Sequence, residues 1–153
     1  MTDTGLKARI QSDLHDAMRA HDTVRSGTLR MVLTSVTNAE VAGREARRLG
    51  EDEVLAVIRK EAKKRREAAT AYTGAGRLEL AEREEAELVV LSTYLPAELG
   101  DAELAGIVTR AVAETGATGM PDLGRVMKVA QAQVAGRADG GRVVAAVRAA
   151  LAG

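Results

Sequence analysis

Apolar residues recur at helical spacing along most of the chain. In four segments before residue 96, small aliphatic side chains return every three or four residues, which is the pattern of a helix with one buried face. The predicted inward residues of the first two helices are Leu6, Ile10, Leu14, Ala17 and Met18, then Leu29, Val32, Leu33 and Val36. Those of the next two are Val54, Leu55, Ile58, Ala62, Ala69 and Tyr72, then Leu78, Ala81, Leu88, Leu91 and Leu95. The pattern predicts an N-terminal helical bundle.

Polar and glycine residues mark where these helices begin and end. Asp22 is placed to cap the second helix, Gly50 separates the second helix from the third, and residues 73–76 (Thr-Gly-Ala-Gly) end the third. The third and fourth helices are therefore expected to form an antiparallel hairpin. This hairpin brings Arg65 and Glu85 nearly level within the core stripes, and we predict that they pair because an isolated buried charge is costly.

A linker is predicted between Tyr94 and Asp101, where proline, glycine and aspartate interrupt the helical pattern. Three short helices follow it, and Asp139 is expected to cap the last of them. Their inward residues are Leu104, Ile107, Val108, Ala111 and Val112, then Leu123, Val126, Met127, Ala130 and Val134, then Val143, Val147 and Leu151. The sequence thus predicts an all-α protein with an N-terminal bundle over residues 1–96 and a small three-helix domain over residues 97–153.

Composition narrows the possible functions. The chain has 22 basic and 22 acidic residues, so it has no overall basic excess to drive general nucleic-acid binding. It has no cysteine, which excludes disulfides, thiolate nucleophiles and cysteine-based metal sites. The N-terminus lacks a signal-peptide pattern, and no apolar run approaches the roughly 20 residues that span a bilayer. We expect a cytoplasmic protein without a membrane partner.

The strongest charged feature is the run from Arg59 to Arg66. On a helix, Lys60, Lys63 and Lys64 lie on one broad basic ridge that can neutralise phosphates. The alternative is that this ridge is ion-paired with the acidic fourth helix, and it is the favoured interpretation from the sequence. The carboxylates of that helix are Glu79, Glu82, Glu84, Glu85 and Glu87.

A second basic feature is the segment 136–142, Gly-Arg-Ala-Asp-Gly-Gly-Arg, which leads into a helix. Arg137, Arg142 and the first backbone N–H groups of that helix can hold a phosphate. Asp139 argues against this function, because its carboxylate is expected to cap the same N–H groups. A tight interhelical turn is the favoured interpretation, and the spacing matches no known nucleotide-binding loop.

No catalytic, cofactor or metal site is predicted. The two histidines, His15 and His21, do not form the Glu-x-x-His motifs of helical di-metal sites. His15 is expected on a polar face and His21 near a helix end. Ser12 lies close to His15, but no orienting acid or oxyanion loop accompanies them.

The ordered landmarks of this chain resemble those of the GatB/YqeY domain family, in particular its stand-alone YqeY-like proteins. The resemblance runs nearly from end to end, with one small departure at Met120-Pro121, where relatives often carry a charged residue. It rests on Asp13-Leu14, Ala17-Met18, Leu29-Arg30, Asn38-Ala39-Glu40, Asp52-Glu53-Val54, Lys63, Ala75-Gly76-Arg77, Leu80, Glu84, Glu87, Tyr94-Leu95-Pro96, Gly124, Met127-Lys128, residues 136–140, Val147 and Leu151.

The resemblance implies an N-terminal bundle followed by a small helical domain that is related to the C-terminal domain of the B subunit of aspartyl/glutamyl-tRNA amidotransferase. In that enzyme the domain helps to hold tRNA while the chemistry occurs in other domains. The family label, carbon–nitrogen ligase activity with glutamine as amido-N-donor, therefore attaches to the domain by association. No residue here is suited to that reaction, and the chain is expected to be a non-catalytic accessory protein, with tRNA or amidotransferase subunits as partners. The candidate RNA-binding residues are Lys60, Lys63, Lys64, Arg125, Lys128, Arg137 and Arg142. The alternative is a helical protein–protein interaction module that binds no nucleic acid.

Overall fold

The computed structural model describes residues 5–153, and within this range it contains seven α-helices and no strand. The all-α fold predicted from the sequence is therefore confirmed. The helices are α1 (Leu6–Arg19), α2 (Thr23–Val41), α3 (Glu51–Gly74), α4 (Leu78–Ser92), α5 (Asp101–Thr115), α6 (Leu123–Val134) and α7 (Gly140–Ala152). A 3-10 turn at Met120–Asp122, which the sequence did not predict, leads into α6.

Helices α1 to α4 form the N-terminal unit as two hairpins. Helix α1 packs along α2, α3 packs along α4, and α2 also contacts both α3 and α4. The side chains at the centre of this unit are aliphatic and fully buried, as the helical spacing requires. They include Ile10, Leu29, Val36, Ile58 and Leu91.

The predicted helix ends have recognisable local causes. The side chain of Asp22 accepts a hydrogen bond from the backbone N–H of Arg25 at 3.0 Å, which confirms it as the cap of α2. At the start of α3, the side chain of Glu53 accepts from the backbone N–H of Gly50 at 3.2 Å. Gly76 has a φ of +73°, a left-handed conformation that turns the chain from α3 into α4 and that costs glycine little.

Three residues assigned to the core stripes differ from the prediction, two by their exposure and Leu95, which does pack against the core, by lying outside the predicted helix. Met18, in the last turn of α1, is 49% exposed, since Ala17 already fills the inward position. Leu78 is 60% exposed because the first residue of α4 lies level with the end of α3, more than a helical turn past Ala69, the last buried residue of that helix. Leu95 is half-buried but lies beyond the end of α4 at Ser92.

Helices α5 to α7 form the second unit, and the chain divides between Leu95 and Pro96. All three helices of this unit contribute to one aliphatic core, which includes Val108, Ala111, Val126, Ala130, Val134, Val143 and Val147. The backbone N–H of Leu99 donates to the carbonyl oxygen of Arg137 at 2.7 Å, so the segment before α5 is fixed to the turn before α7.

Asp139 occupies the N-cap position of α7, as predicted, but its carboxylate makes no capping hydrogen bond within the described chain. The first helical bond is made by the backbone instead, from Val143 N–H to the Asp139 carbonyl at 3.1 Å. The sequence was therefore right about the position and wrong about the capping side chain.

Candidate nucleic-acid interface

Helix α3 has two chemically distinct faces. Ile58, Ala62 and Ala69 face the core, and the lysines of the basic ridge fall between them in sequence. Because a helix advances 100° per residue, Lys60, Lys63 and Lys64 are carried to the outside, where all three are exposed. The basic ridge predicted from the sequence is therefore on the surface of the N-terminal unit.

The lysines of this ridge are not neutralised by α4. Within residues 5–153, Lys60 and Lys63 make no ion pair, and Lys64 lies 3.5 Å from Glu61 of its own helix. The α4 carboxylates Glu79, Glu82, Glu84 and Glu85 also make no ion pair with any described residue. The interpretation that the basic run pairs with the acidic helix therefore does not hold for these three lysines, although Arg65 of the same run does reach Glu87 of α4. The three lysines and the four carboxylates point outward from adjacent helices, not across the contact between them.

The charge contact that does cross from α3 to α4 is buried. Arg65 is only 7% exposed and donates to Glu61 at 2.6 Å, and its Nε lies 3.4 Å from Oε2 of Glu87. Ser35 of α2 donates to Glu61 at 3.3 Å, and Arg65 Nη2 contacts the sulfur of Met31. A buried cluster of charge thus joins three helices, and Arg65 Nε itself has no hydrogen-bond acceptor in the described structure.

The predicted partner of Arg65 was Glu85, and this is wrong by two residues. Two residues correspond to about 200° around a helix, so Glu85 and Glu87 point in nearly opposite directions. Glu85 lines a shallow outer cleft with Arg66 and Thr70, whereas Glu87 faces Arg65. The hairpin was predicted correctly, but the rotation of α4 about its own axis was not.

In the second unit, Arg125 and Lys128 lie one turn apart on α6. Arg125 donates to Asp122 at 2.7 Å and to the carbonyl oxygen of Thr115 at 3.0 Å. The hydrogen bond from Arg125 lowers the pKa of Asp122, and a second bond from the Thr118 backbone acts in the same direction. Lys128 is exposed and forms no ion pair with the residues that the structure describes. Of the two, Lys128 is the side chain available to a ligand.

Arg137 lies in the tight turn between α6 and α7, and Arg142 lies in the first turn of α7. The turn begins with Ala135 and Gly136, both at positive φ (51° and 77°). Arg137 Nε donates to the carbonyl oxygen of Ala97 at 3.1 Å, and Arg142 donates to Asp101 at 2.9 Å. Both arginines therefore join this turn to the start of α5, which is a structural function.

A polar cluster around Tyr94 was not found from the sequence, which had assigned this residue to a linker. The Tyr94 hydroxyl donates to Asp13 at 2.5 Å, and the guanidinium of Arg9 lies 5.0 Å from the centre of the ring. Burial, together with the hydrogen bond to Asp13, raises the pKa of Tyr94 to about 12. Asp13 and Tyr94 are both among the landmarks of the family resemblance, which was the available signal.

A polar cleft of about 280 Å³ lies between the starts of α1 and α3. Glu40 accepts from Lys7 at 2.9 Å and from the backbone of Leu49 at 3.1 Å, and these two bonds lower its pKa. Glu51 accepts from the backbone N–H of Leu6 at 3.2 Å. These charged side chains in the cleft are bound within the chain, and their contacts connect α1 to α2 and to α3.

Neither a cluster of metal-ligating side chains nor a membrane-spanning helix is found among the described residues. Over residues 5–153, no three side chains of His, Cys, Asp or Glu are grouped as metal ligands would be. His15 is exposed on α1, and exposed His21 lies just after α1, at a φ of 56°. None of the described helices combines the length and the apolar character needed to cross a bilayer.

This protein is therefore an all-α protein with a four-helix unit, a three-helix unit and exposed lysines. The sequence profile of the family described as "Yqey-like protein" matches residues 7–151, nearly the whole chain, and the protein belongs to this family. A similar protein of Schizosaccharomyces pombe, described as uncharacterized, is 34% identical over 92 residues, which is 60% of this chain and 72% of the relative.

Proposed function

We propose that this chain is a non-catalytic accessory protein that binds tRNA in the cytoplasm and acts with glutamine-dependent tRNA amidotransferase. The observation that carries the proposal is the set of exposed lysines without ion partners, Lys60 and Lys63 on α3 and Lys128 on α6. A phosphate that approaches these ammonium groups displaces water and counterions, because no carboxylate of the described residues competes for them. Each unit therefore carries its own cationic contact.

The other candidate residues contribute differently to this proposed surface. Lys64 is also exposed but shares its charge with Glu61. Arg125, Arg137 and Arg142 each bind groups of the second unit, so they hold the unit together. Neutralising these arginines is expected to disturb folding as well as RNA binding, and the lysines are the better test.

The recognition mode that we propose is contact with the RNA backbone. Single-stranded bases are usually bound by stacking on aromatic side chains, and this chain has no Phe or Trp and only two Tyr. One of them, Tyr94, is buried and hydrogen-bonded to Asp13. Shape and phosphate contacts are therefore the available means of recognition.

The test is the equilibrium binding of a folded tRNA to the full chain at salt concentrations between about 50 and 200 mM. The triple variant Lys60→Ala, Lys63→Ala, Lys64→Ala is expected to weaken binding, and to reduce the slope of log affinity against log salt by about two. A matched control replaces Arg30 and Arg44 by Ala, since both are exposed and unpaired among the described residues. Absence of binding at the lowest salt, or equal losses in the triple variant and the control, would reject the proposal.

A second candidate is a protein–protein interaction module, for which an amidotransferase subunit is the proposed partner. It is favoured by the exposure of large apolar side chains on α4, where Leu78 is 60% and Val89 is 66% exposed. This function predicts an association that survives high salt and that is lost in a Leu78→Ser, Val89→Ser variant. The triple lysine variant would leave such an association intact.

A further inference from the structure

The outer face of α4 carries a stripe of two carboxylates between two apolar side chains. Leu78, Glu82, Glu85 and Val89 follow one another at spacings of four, three and four residues, which places them on one side of the helix. Leu78 and Val89 at its ends have the highest exposures recorded for large apolar side chains in this chain. Two carboxylates that make no ion pair within residues 5–153 lie between them. We call these four residues the acidic stripe.

The neighbouring helix presents the opposite charge. Lys60 and Lys63, the lysine pair, lie on the outside of α3, and in the described chain neither reaches a carboxylate of α4. Acidic and basic surfaces thus lie side by side on one hairpin, and these carboxylates and lysines have no ion partner among the described residues. Such a surface is self-complementary, because a two-fold axis parallel to the helices sets α3 of one copy against α4 of the other, and the reverse.

We propose that two copies of this chain associate through their α3–α4 hairpins, with the lysine pair of each copy against the acidic stripe of the other. The Arg65–Glu87 contact fixes the relative level of the two helices and places Lys63 nearly level with Val89. Glu85 lies one helical turn from Val89, about 6 Å along the axis, which an extended lysine side chain spans. Lys63 and Glu85 therefore pair twice, and Val89 of each copy leaves water. Lys60 lies level with Ser92, so it adds positive potential at the Val89 end of the acidic stripe without reaching Glu82.

This association has a consequence for RNA binding that rests on the proposed function. The lysine pair is also the leading RNA contact of the N-terminal unit, so one lysine surface serves two partners. RNA and the second copy therefore compete, and RNA favours the monomer. The association itself does not depend on RNA and is tested without it.

The first experiment is sedimentation equilibrium of the full chain up to about 200 µM, at about 50 and 500 mM salt. We expect a monomer–dimer equilibrium whose dissociation constant rises at least tenfold at the higher salt, because exposed ion pairs are screened. The variants Lys60→Glu, Lys63→Glu and, separately, Glu82→Lys, Glu85→Lys should each be monomeric. A wild-type chain that stays monomeric at low salt would overturn the proposal.

The matched control changes Arg110 and Arg148 of the second unit to Glu. Both are exposed and have no ion partner among the described residues, so the net charge changes by the same amount as in the lysine variant. The control should dimerise like the wild type. Equal loss of dimer in the control and the lysine variant would show that net charge, not this surface, governs association.

The decisive variant exchanges the charges within one chain, with Lys60 and Lys63 changed to Glu and Glu82 and Glu85 changed to Lys. It should form its own dimer but no mixed dimer with the wild type, since mixing sets like charges against each other. A four-fold variant that remains monomeric while its circular dichroism is native would reject the proposed arrangement. Added tRNA should dissociate the wild-type dimer. If tRNA does not bind at all, the proposed function fails while the dimer result stands.

Discussion

The buried arginine of α3 allows a quantitative test of the N-terminal core. Arg65 donates to Glu61 at 2.6 Å, and both residues are more than nine-tenths buried. Changing Arg65 to Met keeps a long side chain of similar helix propensity but removes every donor. The change leaves Glu61 as a buried carboxylate without its main partner.

The expected cost follows from the contacts that remain. Removing one partner of a buried ion pair destabilises a protein by about 3–5 kcal/mol, because the other charge stays buried. Glu61 retains Ser35 at 3.3 Å and Lys64 at 3.5 Å, so we expect a loss at the lower end, about 3 kcal/mol. Replacing the pair together, as Glu61→Leu with Arg65→Met, should recover most of this loss, to within about 1 kcal/mol of the wild type.

Tyrosine fluorescence makes the measurement selective. Tyr72 and Tyr94 both belong to the N-terminal unit, and the chain has no other aromatic residue of the Phe, Tyr and Trp group. With a slope of about 2 kcal/mol per molar urea, Arg65→Met should lower the unfolding midpoint by about 1.5 M. Lys63→Met is the matched control, since the same change on the exposed face of the same helix should cost less than about 0.5 kcal/mol.

Two results would contradict this reasoning. If Arg65→Met costs less than about 1 kcal/mol, the pair behaves like a surface ion pair and is not desolvated in solution. If the double variant is no more stable than Arg65→Met alone, the loss comes from packing and not from the stranded carboxylate.

Three further predictions concern single residues. Gly106→Ala should stabilise the second unit by about 1 kcal/mol, since a Cβ there meets open space within α5; an unchanged thermal midpoint by circular dichroism would contradict this. Glu53 should titrate at about 2 by NMR, and Arg47→Gln should move the pKa of Glu53 toward 4.5. The stability that the Arg47–Glu53 pair contributes is present above pH 4.5 and is lost as the pH falls toward 2. Tyr94 should titrate at about 12, measured as the difference in 295 nm absorbance between the wild type and Tyr94→Phe. The stability that the neutral hydroxyl contributes should be lost as the pH rises from 10 to 12. A midpoint at 10.0 would refute the burial of this hydroxyl.

The helices could be predicted from the sequence because the residues that determine a helix and its ends lie close together in the chain. The spacing of Ile10, Leu29, Ile58 and other aliphatic residues determines the buried face, and a cap such as Asp22 acts within three residues of its own position. The same holds for the basic ridge, since the outward direction of Lys63 follows from the helical repeat once its neighbours are buried. The division of the chain into independently folding domains stays a prediction, which expression of residues 97–153 alone would test.

Contacts between helices were less accessible, because they depend on how each helix is rotated when it packs. Periodicity placed Glu85 in the stripe that faces Arg65, but the packed helix presents Glu87 instead. The contact between Tyr94 and Asp13 joins residues 81 positions apart, and no local pattern encodes it. A sequence pattern therefore identifies buried faces better than it identifies the partners within them.

Several arginines and lysines of this chain differ in whether they are bound within it. Arg65, Arg125 and Arg142 are held in fixed contacts within the chain, where a planar guanidinium binds carboxylate and carbonyl oxygens in defined directions. Lys60 and Lys128, in contrast, extend into solvent without an ion partner among the described residues, as suits a strongly hydrated ammonium group. A chain with no net charge can therefore still present local positive surfaces, because arginines such as Arg65 and Arg142 bind acids of the chain while lysines such as Lys60 and Lys128 remain available to an external anion.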